Sequence, residues 1–447
     1  MLSAHKKIDE IPVSPFLLKI TLLSSMGIFM DGYVLTIYSI AILYMKDYFH
    51  LYAGTPFYIY YIAFMGSSLF IGMFFGSIIL GNISDKYGRK KIYEYDLIIA
   101  MIFLILSGIS TTIIEFITFE ILAGIGIGAD YPISSSIQAE FSPKDKRGKF
   151  LVFNIFSWTL GGVALLLIAI PVILYVPVAV NWRVLYLTGA IIPFFVILSR
   201  RNLPESPFWL AGKGEYDRAL KSSNEVSDSI GMKIDRLPSV ENGNSKIGDL
   251  FSKKYLYYTI FVSIAWFSYD VSSYGVWEYT PSAFAFSNSN IIMVVLATLL
   301  EELPVFIGFL ICIYFVEKTG RRELEIIGFA GAAISLFIFA IVSDFIAVAL
   351  LLTFFSFVMM HLFHNLGPTN LTYDYPAEIF PTRIRGTAMG FAASVSRIGA
   401  ITGTIVFPII LFTLPFTYVL LFLVVFEVIG FSVTYKFAPE PMGKSLN

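Results

Sequence analysis

Apolar stretches of about 20 residues, the length needed to cross the hydrocarbon core of a bilayer, recur from one end of this chain to the other. They predict membrane spans over residues 16–45, 57–83, 94–112, 114–139, 149–176, 184–200, 256–284, 291–316, 324–343, 346–373, 385–413 and 416–437. A chain of 447 residues that is 57% hydrophobic and only 14% charged lacks the polar side chains to coat a soluble globule, which fits a lipid-embedded protein. The single cysteine, Cys312, sits in an apolar run, so disulfides play no part in the expected fold. Residues 1–15 are polar and the first apolar run is too long for a cleaved leader, so none is expected.

Basic residues alternate between the predicted loops. Lys86, Arg89, Lys90 and Lys91 follow the second span, and Lys144, Lys146, Arg147 and Lys149 follow the fourth. Lys318, Arg321 and Arg322 follow the eighth, and Arg383 and Arg385 the tenth, whereas the intervening loops hold little beyond Lys46 and Arg183. Cytoplasmic loops collect Lys and Arg, so both termini are expected in the cytoplasm, with a multi-pass chain in the cell membrane. A polar stretch over 201–255 divides the chain into 1–200 and 256–447. It is expected to be helical around 213–224 and is too short for a core of its own.

The two parts echo each other. Asp85-Lys86-Tyr87-Gly88-Arg89-Lys90 returns as Glu317-Lys318-Thr319-Gly320-Arg321-Arg322. Ala139-Glu140, Pro143 and Arg147-Gly148 return as Ala377-Glu378, Pro381 and Arg385-Gly386, and Asp31 of the first span is matched by Asp270 of the seventh. Duplicated halves with a solute site between them near the midplane are a plan of secondary transporters. The predicted fold class is therefore an all-α membrane protein of twelve transmembrane helices in two pseudo-symmetric six-helix bundles. Asp85, Arg89, Glu140 and Arg147, with Glu317, Arg321, Glu378 and Arg385 as counterparts, are expected to be gating charges whose ion pairs form and break as the halves rock.

Charges inside membrane helices are costly and mark functional sites by default. Arg397 falls roughly 18 Å into the eleventh span at 1.5 Å per residue, too deep to reach the interface comfortably. It reads as an anchor for a carboxylate or phosphate oxygen pair, or as the partner of an acid such as Asp270. Trp266, Asp270 and Tyr274 follow i, i+4, i+8 spacing and share one helix face, polar enough to line a cavity. Asp31, Asp130 and Asp270 outnumber Arg397. Burial and like charge both favour the protonated acid, so at least one is expected to hold a proton when an anion is bound. Glu301 and Glu302 in the eighth span are read as a second proton site or as interior hydrogen-bonders. His361 and His364 in the tenth could titrate near neutrality, and their spacing does not suit a metal pair. The glycines of 124–128 suit close helix contact rather than phosphate binding, since no strand precedes them.

Gly81-Asn82-Ile83-Ser84-Asp85-Lys86-Tyr87-Gly88-Arg89-Lys90 resembles the signature loop of the major facilitator superfamily. Pro204-Glu205-Ser206-Pro207 and Pro439-Glu440-Pro441-Met442-Gly443-Lys444-Ser445-Leu446 look like sugar-porter marks. Gly124-Ile125-Gly126-Ile127-Gly128-Ala129-Asp130-Tyr131-Pro132 resembles the phosphate:proton symporter family. So do Trp266-Phe267-Ser268-Tyr269-Asp270-Val271-Ser272-Ser273-Tyr274-Gly275 and Asn365-Leu366-Gly367-Pro368-Thr369-Asn370. That resemblance implies a phosphate site lined by Tyr131, Trp266, Asp270 and Tyr274, with Asp31 and Asp130 carrying protons. The chain departs from the family pattern at Arg397, where a lysine is usual, at Trp158 in place of a glutamine, and at Glu120 in place of an arginine. The expected activity is proton-coupled import of a small anion by alternating access, inorganic phosphate first. Organic or aromatic acids, for which Trp158 and Trp266 offer stacking surface, follow, then a sugar or a transporter-like solute receptor. No nucleophile–base pair is recognisable, so no catalytic residue, cofactor, metal or nucleic-acid partner is expected, and the chain is expected to act as a monomer.

Overall fold

The computed structural model describes residues 12–52, 54, 57–200, 204–228, 245–282, 290–342 and 346–446. The N-terminal half contains α1 (Pro15–Tyr48), α2 (Tyr58–Tyr87), α3 (Arg89–Ile109), α4 (Ile113–Ile127), α5 (Asp130–Phe141), α6 (Arg147–Tyr175) and α7 (Asn181–Arg200). Two short helices, α8 (Pro207–Gly212) and α9 (Tyr216–Asp228), lead away from it. The C-terminal half contains α10 (Leu256–Trp277), α11 (Ile291–Phe315), α12 (Arg321–Val342), α13 (Ile346–Leu366), α14 (Pro368–Ile379), α15 (Arg385–Thr413) and α16 (Phe416–Phe437). Nine of these helices are long and apolar enough to cross a membrane among the described residues. Adding α10 and counting α4–α5 and α13–α14 as one crossing each completes six per half.

Local signals set the helix ends. Ser14 caps α1 by accepting from the Leu17 amide at 3.1 Å, with Pro15 in the first turn. Thr112 and Glu115 form a reciprocal capping box at the start of α4. The expected helix in the linker is two helices, because Gly214 turns the chain between them with φ of 79°. The expected seventh span extends to 284, but α10 ends at Trp277 and residues 283–289 lie outside the description.

The structure corrects the continuous fourth and tenth spans. Residue 132 is proline and has no amide to give the Gly128 carbonyl, so the helix breaks between α4 and α5. The hydroxyl of Ser77 donates to that carbonyl instead, at 2.7 Å. Pro368 likewise cannot bond the His364 carbonyl, and the chain turns at Gly367 between α13 and α14.

Glycine allows the backbones of α2 and α4 to touch. A Cβ on Gly124 would lie 2.2 Å from the Leu69 carbonyl oxygen, and one on Gly72 would lie 2.0 Å from that of Ile121. The halves meet where α2 runs along α15 and α6 along α11. At the first seam a Cβ on Gly390 would lie 2.3 Å from the Ser77 carbonyl oxygen. At the second, Phe156 and Phe306 pack edge to face at 5.1 Å.

Candidate functional site: a cavity between the halves and a charged latch beneath it

A cavity with about 730 Å³ of space between its lining atoms, mouth included, opens between the two halves. α5 and α6 contribute Tyr131, Ile155, Trp158 and Thr159. The C-terminal half contributes Trp266, Tyr269, Asp270, Ser273, Tyr274 and Trp277 from α10, and Glu301 and Glu302 from α11. His361, His364 and Asn365 of α13, Thr369 of α14 and Arg397 of α15 complete the polar wall.

Arg397 lies at its centre and is 1% exposed. Its Nη1 donates to the Tyr274 hydroxyl at 3.2 Å and stands 3.4 Å from Asp270 Oδ2, close enough for charge attraction but not aligned for a hydrogen bond. Its Nε has no hydrogen-bond partner. The guanidinium carbon lies 4.6 Å from the centre of the Tyr131 ring, 5.7 Å from Tyr274 and 6.0 Å from Trp266. The shared face expected for Trp266, Asp270 and Tyr274 is the face of α10 that lines the cavity. Trp158 of α6 packs against Trp277 at 5.0 Å and edge-on to Tyr274 at 6.3 Å. Tyr131, Trp266 and Tyr373 meet one another at 6.0–6.3 Å, and the Tyr373 hydroxyl donates to Asn154 Oδ1 across the halves at 2.5 Å.

Asp31 and Asp130 do not line this cavity. Asp31 is fully buried with neither oxygen hydrogen-bonded, and its charged neighbours are Asp130, Arg397, Arg200 and Asp96. Asp130 is held by Arg200, whose Nη2 donates to Oδ1 at 2.6 Å, while Nη1 lies 3.7 Å from Asp96. Arg200 is 1% exposed, so Arg397 is not the lone buried cation that the sequence suggests away from the loops. Arg200 escapes notice because it is the last residue of an apolar span, where snorkelling to the interface is the ordinary expectation. The partners of the two histidines were equally hidden. His361 Nε2 lies 3.0 Å from Glu301, and His364 bonds Glu427 at 2.9 Å.

At the end of the bundle that carries the basic loops, the expected gating residues form contacts across the halves. Glu140 Oε1 accepts from Arg89 at 2.7 Å and from Arg385 at 2.5 Å. Asp85 accepts from the Gly386 amide at 3.1 Å, the Thr387 amide at 2.7 Å and the Thr387 hydroxyl at 2.7 Å. Glu317 accepts from the Gly148 amide at 2.7 Å, and Arg147 donates to the Lys444 carbonyl at 2.9 Å. Arg321 pairs with Glu317 at 2.8 Å and Glu378 at 2.9 Å within its own half. The duplication reaches further than the loops. Glu205 accepts from the Arg89 and Lys90 amides at the start of α3, and Glu440 accepts from the Arg322 amide at the start of α12.

The chain matches the family described as sugar (and other) transporter over residues 20–447. It is 27% identical to the niacin transporter NiaP of Acinetobacter baylyi, with 75% of each chain covered. It is also 27% identical to inorganic phosphate transporter 1-4 of Arabidopsis thaliana, covering 75% of this chain and 71% of that one. Its fold is similar to that of the proton:xylose symporter XylE bound to 6-bromo-6-deoxy-D-glucose, with a TM-score of 0.83, 20% identity and coverage of 96% of this chain and 98% of that one. With two six-helix halves, this chain belongs to the sugar (and other) transporter family and has the fold of the major facilitator superfamily.

Proposed function

We propose that this membrane transporter is a proton-coupled importer of a small anion that works by alternating access as a monomer in the cell membrane, with the basic loops and both termini cytoplasmic. The observation that carries the reading is Arg397. A buried guanidinium on the cavity wall, with Nε unpartnered and its carboxylate neighbour out of alignment, is ready to take an anionic oxygen pair. Trp266, Asp270, Tyr274, Tyr131 and Trp158 shape the pocket around that anion. Asp270 beside Arg397 and Asp31 behind it are placed to exchange protons with the cargo's arrival, since an anion meets less repulsion when they are neutral. Asp130 acts through its pair with Arg200. The contacts from Asp85, Glu140, Arg147 and Glu317 to the other half, Glu140 with Arg385 among them, break when the basic end opens, while Arg89 holds Glu140 and Arg321 joins Glu317 to Glu378 within their own halves.

Inorganic phosphate is the cargo implied by the motifs of the fourth, seventh and tenth spans and suits a similarity to a plant phosphate transporter. The walls favour a second reading, a compact aromatic carboxylate. Trp158, Trp266 and Trp277 offer flat faces to a ring while Arg397 takes the carboxylate. A similarity to a niacin transporter fits the same chemistry. A sugar, which brings no charge for Arg397, fits less well.

The deciding measurement is uptake into proteoliposomes of radiolabelled phosphate, nicotinate, benzoate and xylose, with and without an inward proton gradient. Accumulation of at least one anion only when the gradient is present is the expected result. Accumulation of xylose alone would overturn the anion reading, and binding with no flux would indicate a receptor.

A further inference from the structure

The C-terminal half holds a cluster that anion binding at Arg397 leaves unused. His361 and His364 lie about one turn apart on α13, and each meets a carboxylate from a different helix. Nε2 of His361 is 3.0 Å from Glu301 Oε1 of α11, and Nε2 of His364 hydrogen-bonds Glu427 Oε1 of α16 at 2.9 Å. Glu427 is completely buried, accepts a further hydrogen bond from the Ser272 hydroxyl, and has its Oε2 unpartnered. The Tyr269 ring stands edge-on to His364 at 5.4 Å. Both imidazoles, Glu301 and its neighbour Glu302 line the cavity that holds Arg397.

A carboxylate within a membrane helix is costly, so an idle one is not expected at two such positions. With its imidazole neutral, an imidazole–carboxylate pair carries one negative charge, and one added proton cancels it. The groups facing the pairs are otherwise acidic or neutral. α10 presents Asp270, Tyr269 and Tyr274, α11 presents Glu302, and α5 presents Tyr131. Asp374 of α14 and Glu325 of α12 belong with Arg321, Glu317 and Glu378 near the basic end. α15 supplies Arg397, the one fixed cation on the cavity wall among the described residues. Charges buried close together feel one another strongly, so unprotonated pairs would oppose an anion at Arg397.

We propose that the pairs His361–Glu301 and His364–Glu427 are a second proton-binding centre, loaded in the C-terminal half as the anion docks on Arg397. The cargo rests on the anion reading of the preceding subsection, whereas the proton does not. Infrared difference spectra between acidic and neutral pH, taken on the full chain in proteoliposomes without cargo, test the proton directly. The wild-type protein should show a carboxylic acid carbonyl band that titrates. Glu301→Gln and Glu427→Gln should each remove part of it, and His364→Gln should move its midpoint by one pH unit or more. Thermal unfolding of every variant, with Glu427→Asp as the conservative control, separates a lost proton from a lost fold. An identical band in wild type and both glutamine variants would overturn the proposal. So would Glu301→Gln abolishing binding of a cationic probe such as nicotinamide riboside, a pyridinium, while the band persists, since the acids would then be a cation subsite. In transport, Glu427→Gln should reduce gradient-driven accumulation of phosphate or nicotinate at least ten-fold more than their counterflow, and equal losses would count against the centre. If neither anion is transported, the cargo reading fails while the infrared titration still stands.

Discussion

Arg397 shows how much one side chain can say and where it stops. Its depth in an otherwise apolar span marks it as functional from position alone, because a permanent cation has no cheap place in lipid. Its surroundings required the folded chain. Tyr131 comes from α5 of the N-terminal half, Tyr274 and Asp270 from α10 of the C-terminal half, and the three converge on the guanidinium. Truncating one partner of a buried charge pair costs about 2–5 kcal/mol, so Arg397→Ala should weaken anion binding by at least roughly 30-fold with the fold intact. Calorimetric or filter binding with phosphate and nicotinate checks this, and retained affinity for the transported anion would remove Arg397 from the site. Asp130 carries the opposite lesson. The family resemblance implied a proton carrier, and it is held by Arg200, which lies on α7 and is 70 positions away in the chain.

The broken crossings set the geometry at the scale of elements. Pro132 and Pro368 each deprive a carbonyl of its helical donor, and the bend that follows redirects α5 and α14. Tyr131, just after the first break, and Thr369, just after the second, then line the cavity. The rescue of the Gly128 carbonyl by Ser77 ties α2 to this break. Ser77→Ala should destabilise the protein by about 1–3 kcal/mol, the penalty for a buried acceptor left without a donor. Adding Pro132→Ala supplies a backbone amide in reach of the same carbonyl and should recover part of that loss. Thermal unfolding in detergent of the single and double variants measures the coupling, and strictly additive losses would show that the two groups do not share the carbonyl.

At the scale of the molecule, closure of the basic end rests on acids of one half gripping backbone amides and an arginine of the other. Asp85 alone accepts three hydrogen bonds from Gly386 and Thr387. Asp85→Asn loses the charge that strengthens them, which should favour states with the basic end open and slow turnover more than it weakens anion binding. Spin labels on exposed Lys146 and Lys318, one in each half, should report a longer mean separation in the variant. An unchanged distance distribution together with unchanged turnover would show that Asp85 does not latch the halves.

Much of this was legible in the residue string. Hydropathy demanded spans because an unpaired backbone is not tolerated in lipid, and the repeated Asp85–Lys90 and Glu317–Arg322 loops implied two related halves because duplication copies local motifs. The i, i+4, i+8 face of α10 was likewise legible, since helix periodicity is local. The partners were not. His364 with Glu427, Asp130 with Arg200 and Glu317 with the Gly148 amide join residues 63, 70 and 169 positions apart. Helix periodicity orders neighbours a turn or two away and is silent about which helices will touch. Only tertiary packing decided that one cavity wall would hold a fixed cation, two imidazoles and the carboxylate beside one of them, with the second imidazole's carboxylate, Glu427, buried behind it.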